Sequence, residues 1–201
     1  MNKIILIGSG GHASSCIDVV ELESKFKIAG ILEIDKKKKH KFNYRVFSKT
    51  TNLKILRKKY KYALISIGQI KNYKLRKRIY DELCDLKYYL PVIKSPFSYV
   101  SAHSKVDKGT IIMHGAIVNA GANIGSNCII NSKSLIEHDV RILDNCHVAT
   151  GAIVNGGVRI GRNTFVGSGS IIKEGVLIGN KCIIGAGKFI NKNIPDNKII
   201  K

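Results

Sequence analysis

From residue 100 onward a valine or isoleucine stands at every sixth position without a break: Val100, Val106, Ile112, Val118, Ile124, Ile130, Ile136, Ile142, Val148, Val154, Ile160, Val166, Ile172, Ile178, Ile184 and Ile190. A helix repeats its apolar face every 3.6 residues and a strand every two, so a strict period of six belongs to neither alone. A parallel β-helix accounts for it: each Val or Ile points inward from a short flat strand, and three hexads close one triangular coil. Such β-helices are typically left-handed. Residues 18 apart then stack at about the 4.8 Å spacing of neighbouring strands. Two positions before most of the inward residues stands a small side chain, as at Ser98, Thr110, Ala116, Cys128, Cys146 and Cys182. Immediately after many of them stands Gly or Asn, as at Asn119, Gly125, Asn131, Gly161 and Gly167, which we read as corners needing φ > 0.

The first 94 residues have another character. All eight tyrosines lie at or before Tyr99, and 14 of the 19 glycines follow it. Two domains are implied, 1–94 and 95–201. In the first, an apolar strand Lys3 to Ile7 runs into the turn Gly8-Ser9-Gly10-Gly11-His12-Ala13 and an amphipathic helix to Glu23. Strands over Lys27 to Leu32, Tyr62 to Ile67 and Tyr88 to Ile93 alternate with basic helices, the pattern of a small Rossmann-like parallel α/β sheet. Gly8, Gly10 and Ala13 satisfy GxGxxA at the first strand-to-helix turn, where backbone N–H groups receive phosphate. The acid expected to bind ribose after the second strand is Glu33 or Asp35. So short a domain suits a mononucleotide or nucleotide sugar better than a dinucleotide.

Lys and Arg total 34 against 14 Asp and Glu, a net charge of +20, yet 44% of residues are apolar, which excludes a disordered basic tail. No apolar run approaches the roughly 18 residues of a membrane span, and no signal-peptide pattern opens the chain. Five cysteines without a CxxC pair argue for a reduced, cytoplasmic protein with no metal site. A basic nucleic-acid-binding or scaffold protein is disfavoured, because β-helix sides offer neither recognition helix nor aromatic stacking platform. Lys36 to Lys39 reads as a solvated loop, and His103 and His114 as surface histidines without a role.

The segments Ile7-Gly8-Ser9-Gly10-Gly11-His12, Ser66-Ile67-Gly68 and, most specifically, Ile130-Asn131 through Ile136-Glu137-His138-Asp139 to His147-Val148-Ala149 resemble the nucleotide-amino-sugar N-acetyltransferases grouped with the sialic acid O-acetyltransferases. The resemblance covers nearly the whole chain. It implies His138 as general base oriented by Asp139, and acetyl-CoA held by His147 and by backbone at Gly156, Gly167, Ser168, Gly185 and Ala186. It also implies a nucleotide sugar held by Gly10, Gly11 and His12, with Gly68 and Asn131 near the sugar. The chemistry suits the residues: a sugar amine must lose a proton to attack a thioester, and a histidine accepts it near neutral pH. Gly156, 18 residues after His138, is placed one coil above it, where its N–H would meet a developing oxyanion. His147, nine residues after His138, lies half a coil away, so a homotrimer is expected to set the His138 edge of one subunit against the His147 edge of the next. O-acetylation of a sialic acid-like sugar or polysaccharide by the same base is the alternative activity.

Overall fold

A computed structural model describes residues 1–33, 40–47, 52–70 and 72–201. The front domain is built on a three-stranded parallel sheet of order β2-β1-β5, with β1 at Asn2–Ile7, β2 at Phe26–Leu32 and β5 at Tyr62–Ile65. Between them run α1 (Gly11–Glu23), the small hairpin β3 (His40–Lys41) and β4 (Tyr44–Arg45), and α2 (Leu53–Arg57); α3 (Lys74–Asp85) follows β5. The unbroken apolar run of β1 has a simple cause. Its side chains alternate between two buried faces. Ile4 and Leu6 pack with Cys16, Ile17 and Val20 of α1, whereas Ile5 and Ile7 pack with Leu53, Ile79 and Leu83 of the other two helices.

The expected strand from Tyr88 to Ile93 does not join this sheet as a whole. Tyr89 makes a single bridge to Tyr62, and the chain then leaves. Pro91 has no N–H with which to continue a ladder. Two residues later β6 (Ile93–Lys94) pairs with Ile111–Ile112 of the second domain.

That domain is a left-handed parallel β-helix of about six coils. Sixteen two-residue strands run from Tyr99–Val100 to Phe189–Ile190, each ending on an inward Val or Ile of the hexad series. Strands 18 residues apart pair in register, as Ile129 with His147 and His147 with Phe165. The inward residues and the small side chains before them, including Cys128, Cys146 and Cys182, form one buried column. Each Val or Ile there contributes roughly 1.5–3 kcal/mol on burial.

The corners differ from expectation in one respect. Positive φ falls three residues after the inward residue, not one: at Gly115, Gly121, Asn127, Asp139, Asn145 and Gly151, for example. Gly125, Gly161 and Gly167, immediately after it, are glycines for another reason. A Cβ on them would meet the next coil's backbone: Asp144 N at 2.8 Å, Asn180 N at 2.5 Å and Ala186 N at 2.5 Å.

The prism has three unlike faces. The first carries outward Ile111, Ile129, His147 and Phe165 and lies buried under the front domain, sharing a core of Ile4, Leu6, Ile17, Ile93, Met113 and Ile129 with it. The second carries Lys105, Asn123, Arg141, Arg159 and Leu177 and is polar. The third carries Tyr99, Ile117, Leu135, Ile153, Ile171 and Phe189. It is apolar and uncovered. His114 is not an idle surface residue. It ties the domains, with Ser95 Oγ 2.6 Å from Nδ1 and Asp18 Oδ2 of α1 2.8 Å from Nε2. This Ser–His–Asp line is a strut rather than a nucleophile: Ser95 is 2% exposed, and its Oγ accepts from Phe97 N.

Candidate active site

His138 stands on the corner between the apolar and polar faces, in the turn after Leu135–Ile136. Its Nδ1 lies 3.0 Å from Asp139 Oδ2. With the Nδ1 proton donated to that carboxylate, the Nε2 lone pair is left to take a proton. Asp139 reaches the ring because it adopts the left-handed conformation, φ 59, at a corner position where most coils place Gly or Asn. Two glycines make room for the pair. A Cβ on Gly156, one coil above, would stand 2.6 Å from His138 Nε2, and one on Gly121, one coil below, would collide with Asp139 Oδ1. The place of Gly156 follows from the 18-residue stacking; Gly121 is legible from the same arithmetic, applied downward from Asp139. Glu137 is a second acid beside the ring, held by Asn119 Nδ2 at 3.0 Å.

The hydrogen bond to Asp139, and then the charges of Asp139 and Glu137, hold the His138 pKa above the ordinary 6.5. On the reading of His138 as general base, the ring must be neutral to act, so kcat/KM is expected to fall as the pH drops through this raised value. Asp139→Asn removes the chief cause: the acid limb of the profile should move to lower pH while the plateau falls. A limb that stays in place in that variant would take the proton-accepting step away from His138.

His147 lies elsewhere, on the covered face. It is 5% exposed, edge-on to Phe165 at 5.2 Å and 6.5 Å from the His12 ring. Its Nδ1 donates to the Gln69 carbonyl and its Nε2 accepts from Asn131 Nδ2 at 3.2 Å, which fixes the tautomer. Burial lowers its pKa to about 4. Asn131 also begins the file of small residues along the corner between the covered and apolar faces. Gly167, Ser168, Gly185 and Ala186 belong to that file, with Ser168 and Ala186 exposed. Within one chain, the β-helix residues read from the sequence therefore divide between the two corners that flank the apolar face and the covered face that holds His147.

The residues read from the sequence as the nucleotide site gather at the start of α1. Gly8, with φ 98, lies so close over Ile67 that a Cβ would collide with its side chain, whereas a Cβ on Gly10 or Gly11 meets nothing within 4 Å. Gly68 passes beneath His12, whose Cβ would stand 3.5 Å from a Cβ added there. The His12 ring is driven to a pKa of about 3 by burial and by Arg76, and its Nε2 is buried with no partner among the described residues. Glu33 turns its carboxylate back to the turn, accepting from Ser9 N at 3.0 Å and from Ser9 Oγ. Asp35 and Lys36 to Lys39 lie outside the described residues. Sequence reasoning missed two residues here. Gln69, 2% exposed, donates from Nε2 to Asn145 O at 2.8 Å, and Arg76 is buried at 1%. Nothing in the sequence marks Gln69; Arg76 shares a helical face with Ile79 and Leu83, three and seven residues on.

Among the described residues no group of three or more His, Cys, Asp and Glu is arranged to hold a metal, and no helix is long and apolar enough to cross a membrane.

Residues 3–83 match the model of the PglD N-terminal domain, and residues 157–192 that of the hexapeptide repeat of succinyl-transferase. Curated proteins gave no match. Among solved structures, the chain is similar to a perosamine N-acetyltransferase from Caulobacter crescentus in complex with CoA and GDP-perosamine. The identity is 27% and the TM-score 0.92, covering 99% of this chain and 93% of that one. The acetyltransferase domain of PglB from Neisseria gonorrhoeae FA1090, in complex with acetyl coenzyme A, matches at 24% identity and TM-score 0.87, with 99% and 96% coverage. WeeI from Acinetobacter baumannii AYE shares the fold at 18% identity and TM-score 0.75, with 100% and 97% coverage. With a front domain of the PglD type, a coil of hexapeptide repeats and full-length likeness to a sugar N-acetyltransferase, this chain is similar to the hexapeptide-repeat acetyltransferases in both domains.

Proposed function

We propose that the chain transfers the acetyl group of acetyl-CoA to the amine of a nucleotide-linked amino sugar, by direct attack of the amine on the thioester. The observation that carries this reading is the His138–Asp139 pair with Nε2 unclaimed over Gly156. His138 takes the proton from the attacking nitrogen, Asp139 steadies the imidazolium, and the Gly156 N–H, which makes no hydrogen bond among the described residues, is offered to the oxyanion. The sulfur leaves as the CoA thiol. Gly10, Gly11 and His12 would bind the nucleotide's phosphates, with Glu33, Gly68 and Asn131 beside the ribose and sugar. His147 and the corner of Gly167, Ser168, Gly185 and Ala186 would bind acetyl-CoA. The likeness to an enzyme bound to CoA and GDP-perosamine supports both ligands. Five free thiols, four of them buried, suit a reducing cytoplasm.

The active form is proposed to be a homotrimer. The covered face is filled by the front domain and the polar face suits water, which leaves the apolar face, with Tyr99 59% and Phe189 62% exposed, to a second copy. If three prisms turn that face to a common axis, the two corners flanking it adjoin those of the neighbours. His138 of one chain then faces the Asn131, His147 and Ser168 corner of the next.

The test is calorimetry with UDP, GDP and CMP, on the wild type and on Gly10→Val. The new side chain has space and an ordinary φ of −66, so the fold should survive while phosphate approach is blocked. One nucleotide should bind the wild type and weaken at least about tenfold in the variant, the worth of one charge-assisted hydrogen bond. CoA binding should not change. If no nucleotide binds the wild type, the reading passes to O-acetylation of a free sugar or polymer.

A further inference from the structure

Arg76 is a large charged side chain sealed within the described protein, 1% exposed, and no carboxylate there pairs with it. From α3 its Nη1 donates to the carbonyls of Ile65 at 2.8 Å and Ile67 at 2.7 Å, and its Nε leans toward Asn127 O of the β-helix at 3.4 Å. Nη2 is buried without a partner. The carbonyls it binds end β5 and begin the segment that lies under the glycine turn. Within that segment Ser66 Oγ donates to Gly8 O at 2.6 Å, Ile67 fills the space over Gly8, and Gly68 passes under His12. Gln69 then closes on the β-helix, bound to Asn145 and His147.

We infer that Arg76 is a positioning residue for the nucleotide end of the site: it fixes the Ile65–Gln69 segment as the floor of the Gly8–His12 turn and supplies a buried positive charge that the substrate's anionic group completes. This rests on the reading that the turn holds a nucleotide sugar. A buried guanidinium without a counter-ion is strongly unfavourable, and two carbonyls could be satisfied by a neutral donor. The charge therefore calls for a function of its own. Its field reaches the turn, because it is one of the causes that lower the pKa of both His12 and His147. The other titratable groups around it are Cys16 of α1, whose pKa burial pushes to about 12, and Cys128 of the β-helix. No carboxylate stands among them, which leaves the compensating charge to a ligand.

The experiment compares full-length wild type, Arg76→Met and Arg76→Lys, with circular dichroism and a thermal melt to establish folding. Initial rates of thiol release against UDP- and GDP-linked amino sugars give KM for each substrate. Imidazole nitrogen NMR of the ligand-free proteins against pH gives the titrations of His12 and His147. Arg76→Met should raise the nucleotide-sugar KM at least about tenfold with the acetyl-CoA KM within about twofold, and both histidines should titrate at higher pH. Arg76→Lys keeps the charge, so its histidines should titrate as in the wild type, while loss of the forked contact leaves the nucleotide-sugar KM about threefold raised. Unchanged KM and unchanged titrations in both variants would overturn the inference. So would a fall in kcat with both KM values raised in step with lost stability. If Arg76→Met does not fold, the Lys variant decides: a nucleotide-sugar KM equal to wild type refutes the role. If the wild type acetylates no nucleotide sugar, the substrate reading fails, and the histidine titrations still decide whether Arg76 sets the field at the turn.

Discussion

His138→Ala is expected to lower kcat by at least about 10²-fold, and by as much as about 10⁴-fold, the span of general-base contributions. The KM for acetyl-CoA should hardly move. The reason lies in the division of the site: His138 is on one corner with its Nε2 beside Gly156, while of the proposed CoA-binding residues Ser168 lies on another corner and His147 on the covered face. The side chain is 66% exposed and contributes nothing to the buried column, so the variant should fold as the wild type does. Steady-state kinetics with free-thiol detection measures the effect, and circular dichroism confirms the fold. Turnover near the wild-type rate would remove His138 from the chemistry and shift attention to Glu137, the other base at that corner.

Ile171→Asp should separate three chains into one and reduce activity at least about 10²-fold, because the base and the acetyl donor would no longer be held together. Ile171 is the fifth of the six residues of the apolar file, 39% exposed in the single chain, so a carboxylate there costs the isolated coil little. At a threefold axis three such carboxylates would face one another out of water, a strongly unfavourable arrangement. Leu177→Asp is the control. It occupies the equivalent outward position on the polar face, is 46% exposed, and should leave assembly and rate unchanged. Sedimentation velocity on the three proteins reads the outcome. A wild type that is monomeric and active, or an Ile171→Asp that remains trimeric, would refute the composite site.

The coil and the place of His138 on it were legible in the sequence because a β-helix converts spacing directly into position. Sixteen hexads give sixteen strands, and a separation of 18 sets Gly156 over His138, an inference that needs no contact information. The front domain was legible more coarsely. The GxGxxA turn and α1 lie where patterning puts them, but Tyr88 to Ile93 carries the apolar content of a strand and divides its residues between two domains at Pro91. The glycines after the inward residues were located correctly and misread in cause. A sequence does not distinguish a glycine needed for φ > 0 from one needed because the next coil's backbone passes 2.5 Å from its missing Cβ.

By itself, then, the sequence determined the period, the inward residues, the corner that carries His138 and Asp139, and the turn that opens α1. All of these follow from local geometry or from a fixed repeat. Only the tertiary structure decided which face of the prism is covered, and with it the fate of the residues on that face. His147 is sealed against Gln69 and Asn131 because the front domain packs there, and Ile111 and Ile129 join that domain's core for the same reason. His114 becomes a strut because Asp18 arrives from a helix 96 residues earlier in the chain. Arg76, written in a run of lysines and arginines, is buried because one helix face must pack on the sheet. These outcomes depend on how two folded units meet, and a contact between residues 60 to 100 positions apart leaves no periodic trace in either segment.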